Sequence, residues 1–132
     1  MEVRQLVDND YDKLCQWWSD WRWSPISRDF LPENGTGGLM VTKDGVDICA
    51  GFVYMTNSKV AWIEFVVSNF HYRESDRKSA LEFLIHSLTD ICKQNGLLYA
   101  FSTLKNESLI KMYEGCGFQK GSTRTTEMVK IL

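Results

Sequence analysis

Residues 79–94 place Ala80, Leu81, Leu84, Ile85, Leu88, Ile91 and Cys92 on one side of a helix. An element with that period must lay its apolar stripe on a core. Asn95-Gly96 follows, the expected stop for such a helix. Residues 97–103 come next and are almost wholly apolar, which predicts a strand buried on both faces. A third strand is predicted over 59–67, rich in β-branched and aromatic residues. Strand, long helix and strand make a β-α-β crossover, which fixes a parallel pair with the helix packed on the sheet.

The rest of the chain supplies antiparallel neighbours. Residues 2–7 read as a short strand, and Asp8 is placed to cap a helix over 9–23. Pro25, Pro32 and the run Glu33-Asn34-Gly35-Thr36-Gly37-Gly38 read as irregular chain. Residues 39–42 lead into Lys43-Asp44-Gly45, a hairpin turn, and 46–55 return as a strand. Gly51 inside that strand predicts a bulge or a close backbone approach. Asn106 is placed to cap a short helix carrying Leu109, Ile110 and Tyr113, stopped by Gly115 and Gly117. Residues 118–122 and 125–131 read as two last strands. The predicted order is β-α-β-β-β-α-β-α-β-β, an α+β domain over 1–132 with a mixed, mostly antiparallel sheet and helices on both faces.

Bulk properties narrow the function. A chain of 132 residues is one domain with room for a real core. Its net charge of -2 argues against a global grip on nucleic acid, so Arg22, Arg28, Lys59 and the aromatics alone carry little weight for that role. The four cysteines form no C-x-x-C pair, and with two histidines no metal site is expected. No apolar run approaches the ~20 residues of a membrane helix, and no leader pattern is seen, so a cytoplasmic protein is expected.

The loop before the long helix reads Arg73-Glu74-Ser75-Asp76-Arg77-Lys78. A helix N-terminus beside strand backbone offers unpaired N–H groups to an anion. Arg73, Arg77 and Lys78 can meet a phosphate there, or the loop can be a solvated surface of mixed charge.

The run Asn106-Glu107-Ser108-Leu109-Ile110-Lys111-Met112-Tyr113-Glu114-Gly115-Cys116-Gly117-Phe118 resembles a motif of the GCN5-related N-acetyltransferases (GNAT). In that family an Asn is followed seven positions later by Tyr and then by Gly-Phe. The predicted element order resembles the same fold over nearly the whole chain. The resemblance implies an N-acetyltransferase that moves an acetyl group from acetyl-CoA to a primary amine, on a small molecule or a protein, by direct attack in a ternary complex. It implies a monomer or homodimer acting without nucleic acid or membrane.

The same resemblance implies roles. Tyr113 is the counterpart of a general acid for the departing thiolate, and otherwise an amphipathic core residue. Glu64 is the counterpart of a base for the acceptor amine, and otherwise a solvent-facing strand residue. Trp62, Glu64 and Val66 are expected on one face of the strand. Val66 and Val67 are expected beside the pantetheine arm. Arg73, Arg77, Lys78 and the helix start at Ser79 are expected at the diphosphate. Asn106 either caps its helix or touches the cofactor. The tryptophans Trp17, Trp18, Trp21 and Trp23 either line the acceptor side or pack as core and lid.

One departure matters. The family's loop carries glycines where this chain has Asp76 and Lys78. Glycines let backbone curl round a diphosphate, whereas a carboxylate repels it. The alternative is therefore a GNAT-shaped binding module that has lost catalysis or CoA binding.

Overall fold

A computed structural model describes all residues, 1–132. The elements are β1 (Glu2–Gln5), α1 (Asp10–Asp20), β2 (Gly38–Lys43), β3 (Val46–Met55), β4 (Val60–Ser68), α2 (Arg77–Gln94), β5 (Tyr99–Phe101) and α3 (Glu107–Gly115). Two short 3-10 turns, Arg28–Phe30 and Pro32–Gly35, join α1 to β2. The sheet runs in the order β1-β2-β3-β4-β5, antiparallel except for the β4–β5 pair. This is the mixed α+β sheet that the sequence pattern predicts.

Local chemistry explains most boundaries. Asp44 and Gly45 both take positive φ, as a two-residue hairpin turn needs. Asp8 does not cap α1. Asp10 is the first residue of the helix, buried, and its carboxylate accepts from Val7 N at 2.8 Å and from the two terminal Arg4 guanidinium nitrogens at 2.8 Å. Arg4 thereby holds the Asp10 carboxyl below its usual range. Asp8 instead meets Arg28 at 2.8 Å.

Two cores flank the sheet. On one face α2 buries Leu84, Ile85 and Leu88 completely against β2, β3 and β4, with Tyr113 of α3 in the same cluster. Each such aliphatic side chain contributes roughly 2 kcal/mol. On the other face α1 buries Leu14, Trp17 and Trp18 against Met40, Ala50 and Phe52.

The bulge signalled by Gly51 is present. Ala50 pairs with Val67 and Phe52 with Glu64, so Gly51 alone faces both Phe65 and Val66. Phe65 takes φ 57 to make the extra residue fit. A Cβ on Gly51 would meet Val66 Cγ2 at 2.9 Å and Leu88 Cδ1 at 3.1 Å. The bulge also reverses the alternation of β4. Ile63 and Val66 both face α2, while Phe65 and Val67 pack on the α1 side. The expectation that Val66 shares a face with Trp62 and Glu64 is therefore wrong.

The C-terminal part differs from its pattern. Residues 118–122 and 125–131 form no strand. Nor is the strand over 97–103 buried on both faces. It shortens to Tyr99–Phe101, whose aromatic side chains are 62% and 50% exposed. Only Ala100 turns towards the α2 core, and α1 does not reach this edge of the sheet.

Candidate active site

β4 and β5 pair only at Val60, Ala61 and Trp62. From Ile63 to Ser68 β4 continues without a β5 partner, because the Phe65 bulge turns it away. A cleft of about 810 Å³ opens along this split. Val66, Val67 and Ser68 form one wall, the start of α2 the end, and Asn106, Leu109 and Met112 the opposite wall. Trp21 and Trp23 close it from the α1 side.

The α2 end of the cleft is cationic. Arg77 and Lys78 line it, with the single carboxylate Glu82 one turn further along α2. Arg77 donates to Ser68 Oγ at 3.2 and 2.8 Å and lies 4.8 Å over the Trp21 ring. Trp21 is itself fixed by Nε1 donating to Ser68 O at 2.8 Å. No carboxylate pairs with Arg77, and burial together with the neighbouring Arg73 pushes its pKa down. The amides of Lys78 and Ser79 have no backbone acceptor. They are the free donors of a helix N-terminus.

Asp76, at a position where a glycine is expected, is turned aside. Lys43 Nζ donates to one carboxylate oxygen at 2.6 Å and Tyr72 OH to the other at 2.7 Å. Asp76 is not among the residues lining the cleft. Lys43 lies 33 residues away in sequence, so its pairing with Asp76 is invisible in the loop motif.

The remaining candidates are distributed as follows. Val66, Val67, Arg77, Lys78 and Asn106 come together in the cleft. Asn106 does two things at once, since its Oδ1 accepts from Leu109 N at 3.0 Å as a helix cap. The side chains of Arg73 and Ser79 do not line the cleft, and Arg73 stacks over Phe70 at 4.5 Å. Trp17 and Trp18 are core, whereas Trp21 and Trp23 belong to the cleft.

Neither Tyr113 nor Glu64 lines this cleft; Glu64 stands on β4 just past the last β4–β5 pair, Trp62 with Phe101, and outside both cavities. Tyr113 is 2% exposed and its hydroxyl has no hydrogen-bond partner. Ser102 is nearby; its Oγ donates to Ile63 O at 2.6 Å and keeps lone pairs that a small shift would bring within reach of the phenol. Burial pushes the phenol up to about 12. Tyr113 does not line the main cleft; it lines a second cavity beneath residues 118–127, with Ser102 and Thr103. Glu64 accepts from Thr103 N at 2.6 Å and from Thr103 Oγ1 at 2.7 Å. Burial pushes its pKa up, against the opposing pull of those two hydrogen bonds.

The same architecture occurs in solved acetyltransferases. The ribosomal-protein-S18-alanine N-acetyltransferase from Escherichia coli superposes with a TM-score of 0.73 at 16% identity, over 92% of this chain and 79% of that one. This is the GNAT fold. N-acetylglutamate synthase from Neisseria gonorrhoeae, in complex with coenzyme A and N-acetyl-glutamate, also gives 0.73, at 15% identity over 92% of this chain and 28% of that one. An aminoglycoside acetyltransferase from an uncultured soil metagenomic sample gives 0.64 at 12% identity, over 98% and 96% of the two chains. No family model and no curated protein matches the sequence, so the GNAT likeness is one of fold. No helix is long and apolar enough to cross a membrane.

Proposed function

We propose that the protein is an N-acetyltransferase that moves an acetyl group from acetyl-CoA to a primary amine in a ternary complex. The observation that carries the reading is the split between β4 and β5, with an unneutralised guanidinium and two free amides at one end. A GNAT-fold neighbour holds coenzyme A, which supports the donor.

The residues present fit that donor. Arg77, Lys78 and the amides of Lys78 and Ser79 would hold its diphosphate, as charge-assisted hydrogen bonds and a helix N-terminus do elsewhere. Val66 and Val67 would flank its pantetheine arm. Acetyl-CoA would supply the acetyl group as an activated thioester. The Tyr113 hydroxyl belongs to the second cavity and not to the main cleft, so it bears on proton transfer and not on the fit of the diphosphate or the pantetheine arm.

The acid–base work falls to two groups. An acceptor ammonium must lose a proton before it has a lone pair, and Glu64 is the candidate base. Its raised pKa makes it a better proton acceptor than an ordinary surface carboxylate. Each of its oxygens keeps a free lone pair beside the Thr103 bonds. Tyr113 stays protonated at neutral pH, as a proton donor must.

A second reading, a GNAT-fold binding module without catalysis, draws on the enclosure of the phenol outside the main cleft. Titration calorimetry with acetyl-CoA, followed by CoA release with a panel of amines, separates the two. Binding with turnover supports the enzyme, and binding without turnover supports the module. No binding near millimolar acetyl-CoA defeats the donor assignment.

A further inference from the structure

Three strands carry an aromatic row across the α1 face of the sheet, one register step from Glu64. Tyr54 on β3 is paired with Trp62 on β4, and Trp62 with Phe101 on β5. The Trp62 and Phe101 rings sit 5.1 Å apart, inclined at 56°. Tyr99, one step further along β5 and paired with Val60, extends the surface. Glu64 is paired with Phe52 and so stands on the same face as Trp62, directly above the row.

Tyr54 anchors the row to the α1-side core, its hydroxyl donating to Phe30 O at 2.5 Å, and the rings beyond it have no internal use. Trp62, Tyr99 and Phe101 belong to neither core, because the α1-side core reaches no further than Tyr54 on β3 and Phe65 and Val67 on β4. Tyr54 and Trp62 are half-buried and Phe101 is half exposed. Glu64 has no basic partner. A carboxylate lacking a counter-cation thus stands at the head of an aromatic strip whose Trp62, Phe101 and Tyr99 rings are left uncovered.

We infer that the row Tyr54–Trp62–Phe101 with Glu64 is the acceptor platform, and that it selects a primary amine carried on an aromatic or apolar body. This rests on the acetyltransferase reading above and names the acceptor class for it. Charge complementarity places the ammonium at Glu64. The strip below offers faces and edges of rings to an aryl or alkyl body, and cation–π attraction adds to the pull on the ammonium. A polycation such as a polyamine would lay further ammonium groups on the strip, where no carboxylate meets them. Glu127, the other acid acting on Glu64, lies on the C-terminal segment and not in the row.

The test compares 2-phenylethylamine with spermidine at fixed acetyl-CoA, following CoA release with a thiol reagent. The expected kcat/KM favours 2-phenylethylamine by about tenfold or more, the scale of one aromatic contact plus apolar burial. Trp62→Ala removes most of that preference while the Kd for acetyl-CoA stays unchanged. Phe101→Ala, at an exposed edge position that tolerates truncation, shifts the preference in the same direction. A preference for spermidine, or an unchanged preference in both variants, overturns the inference. So does self-association that protects Trp62 from quenching by acrylamide. If acetyl-CoA binds but neither amine reacts, the platform is wrong and the donor site stands. If acetyl-CoA does not bind, the acetyltransferase reading falls. Calorimetry of 2-phenylethylamine with the free protein then decides the platform alone, heat supporting it and its absence defeating it.

Discussion

Glu64 on β4 takes both hydrogen bonds that Thr103 can give, amide and hydroxyl, at the point where the chain after β5 leaves the ladder. The pair bridges the mouth of the split while setting the basicity of the carboxylate. Hydrogen bonds to an ionised carboxylate lower its pKa, and burial raises it. Thr103→Val deletes the hydroxyl bond and leaves the amide bond. The Glu64 pKa should then rise further. If Glu64 must be ionised to act, the acid limb of the kcat/KM profile lies above an ordinary glutamate, and Thr103→Val moves it to higher pH. A pH–rate profile of the two proteins checks this; coincident acid limbs would separate Glu64 from proton transfer. The lost bond should also cost about 1 kcal/mol of stability.

Tyr113 combines burial with an unsatisfied hydroxyl, so its removal should have opposite effects on stability and rate. Tyr113→Phe deletes a buried donor without a partner and should stabilise the fold by about 1 kcal/mol. The same change should slow turnover by ~100-fold if the phenol donates a proton, with little effect on acetyl-CoA binding. The alkaline behaviour follows from the raised pKa, from 10 in an open chain to about 12 when folded. The folded state favours the neutral phenol. That contribution is complete below pH 10 and is lost as pH rises towards 12. Tyr113→Phe should therefore flatten part of the fall in stability over that window, read by denaturant melts at several pH values.

Gly51 faces the doubled residues of the bulge, and no larger residue fits. Gly51→Ala drives a Cβ to 2.9 Å from Val66 and 3.1 Å from Leu88. Overpacking of this kind costs ~1–3 kcal/mol. Either the bulge shifts, which narrows the cleft at Val66, or α2 lifts off the sheet. Both should lower Tm and weaken acetyl-CoA binding together. A lower Tm with unchanged Kd would mean that the bulge does not shape the donor site.

The sequence made the frame visible and hid the details that decide the site. The period of α2, the hairpin at Asp44-Gly45 and the break at Gly51 are local signals, and each lands where the pattern puts it. The face of Val66 was not legible. It depends on a left-handed Phe65, and a phenylalanine does not advertise positive φ as a glycine would. The fate of Asp76 was equally hidden, because Lys43 approaches from a distant hairpin. Residues 97–103 look like a buried strand by apolarity alone. Whether they are covered depends on α1, whose reach along the sheet no local pattern encodes. The strand-like residues at 118–122 and 125–131 are interrupted by Lys120, Gly121 and Lys130, and no edge of the sheet takes them up.

Arg77 and Arg73 are four residues apart and differ in what surrounds them. Arg77 lines the cleft, held by Ser68 Oγ and the Trp21 ring, with no acid to neutralise it. Arg73 sits on Phe70 outside the cleft. Arg77→Met keeps the apolar stem against Trp21 and removes the charge. It should weaken acetyl-CoA binding by ~10–100-fold, the scale of one charge-assisted hydrogen-bonding group. The loss should shrink as salt is raised, since screening weakens the wild-type contact first. Arg73→Met should change the Kd by less than about threefold, because a solvated charge outside the cleft contributes little. Calorimetry at two salt concentrations measures all three proteins. Equal losses for both variants would show that the loop attracts the donor by overall charge, with no guanidinium placed to receive a diphosphate.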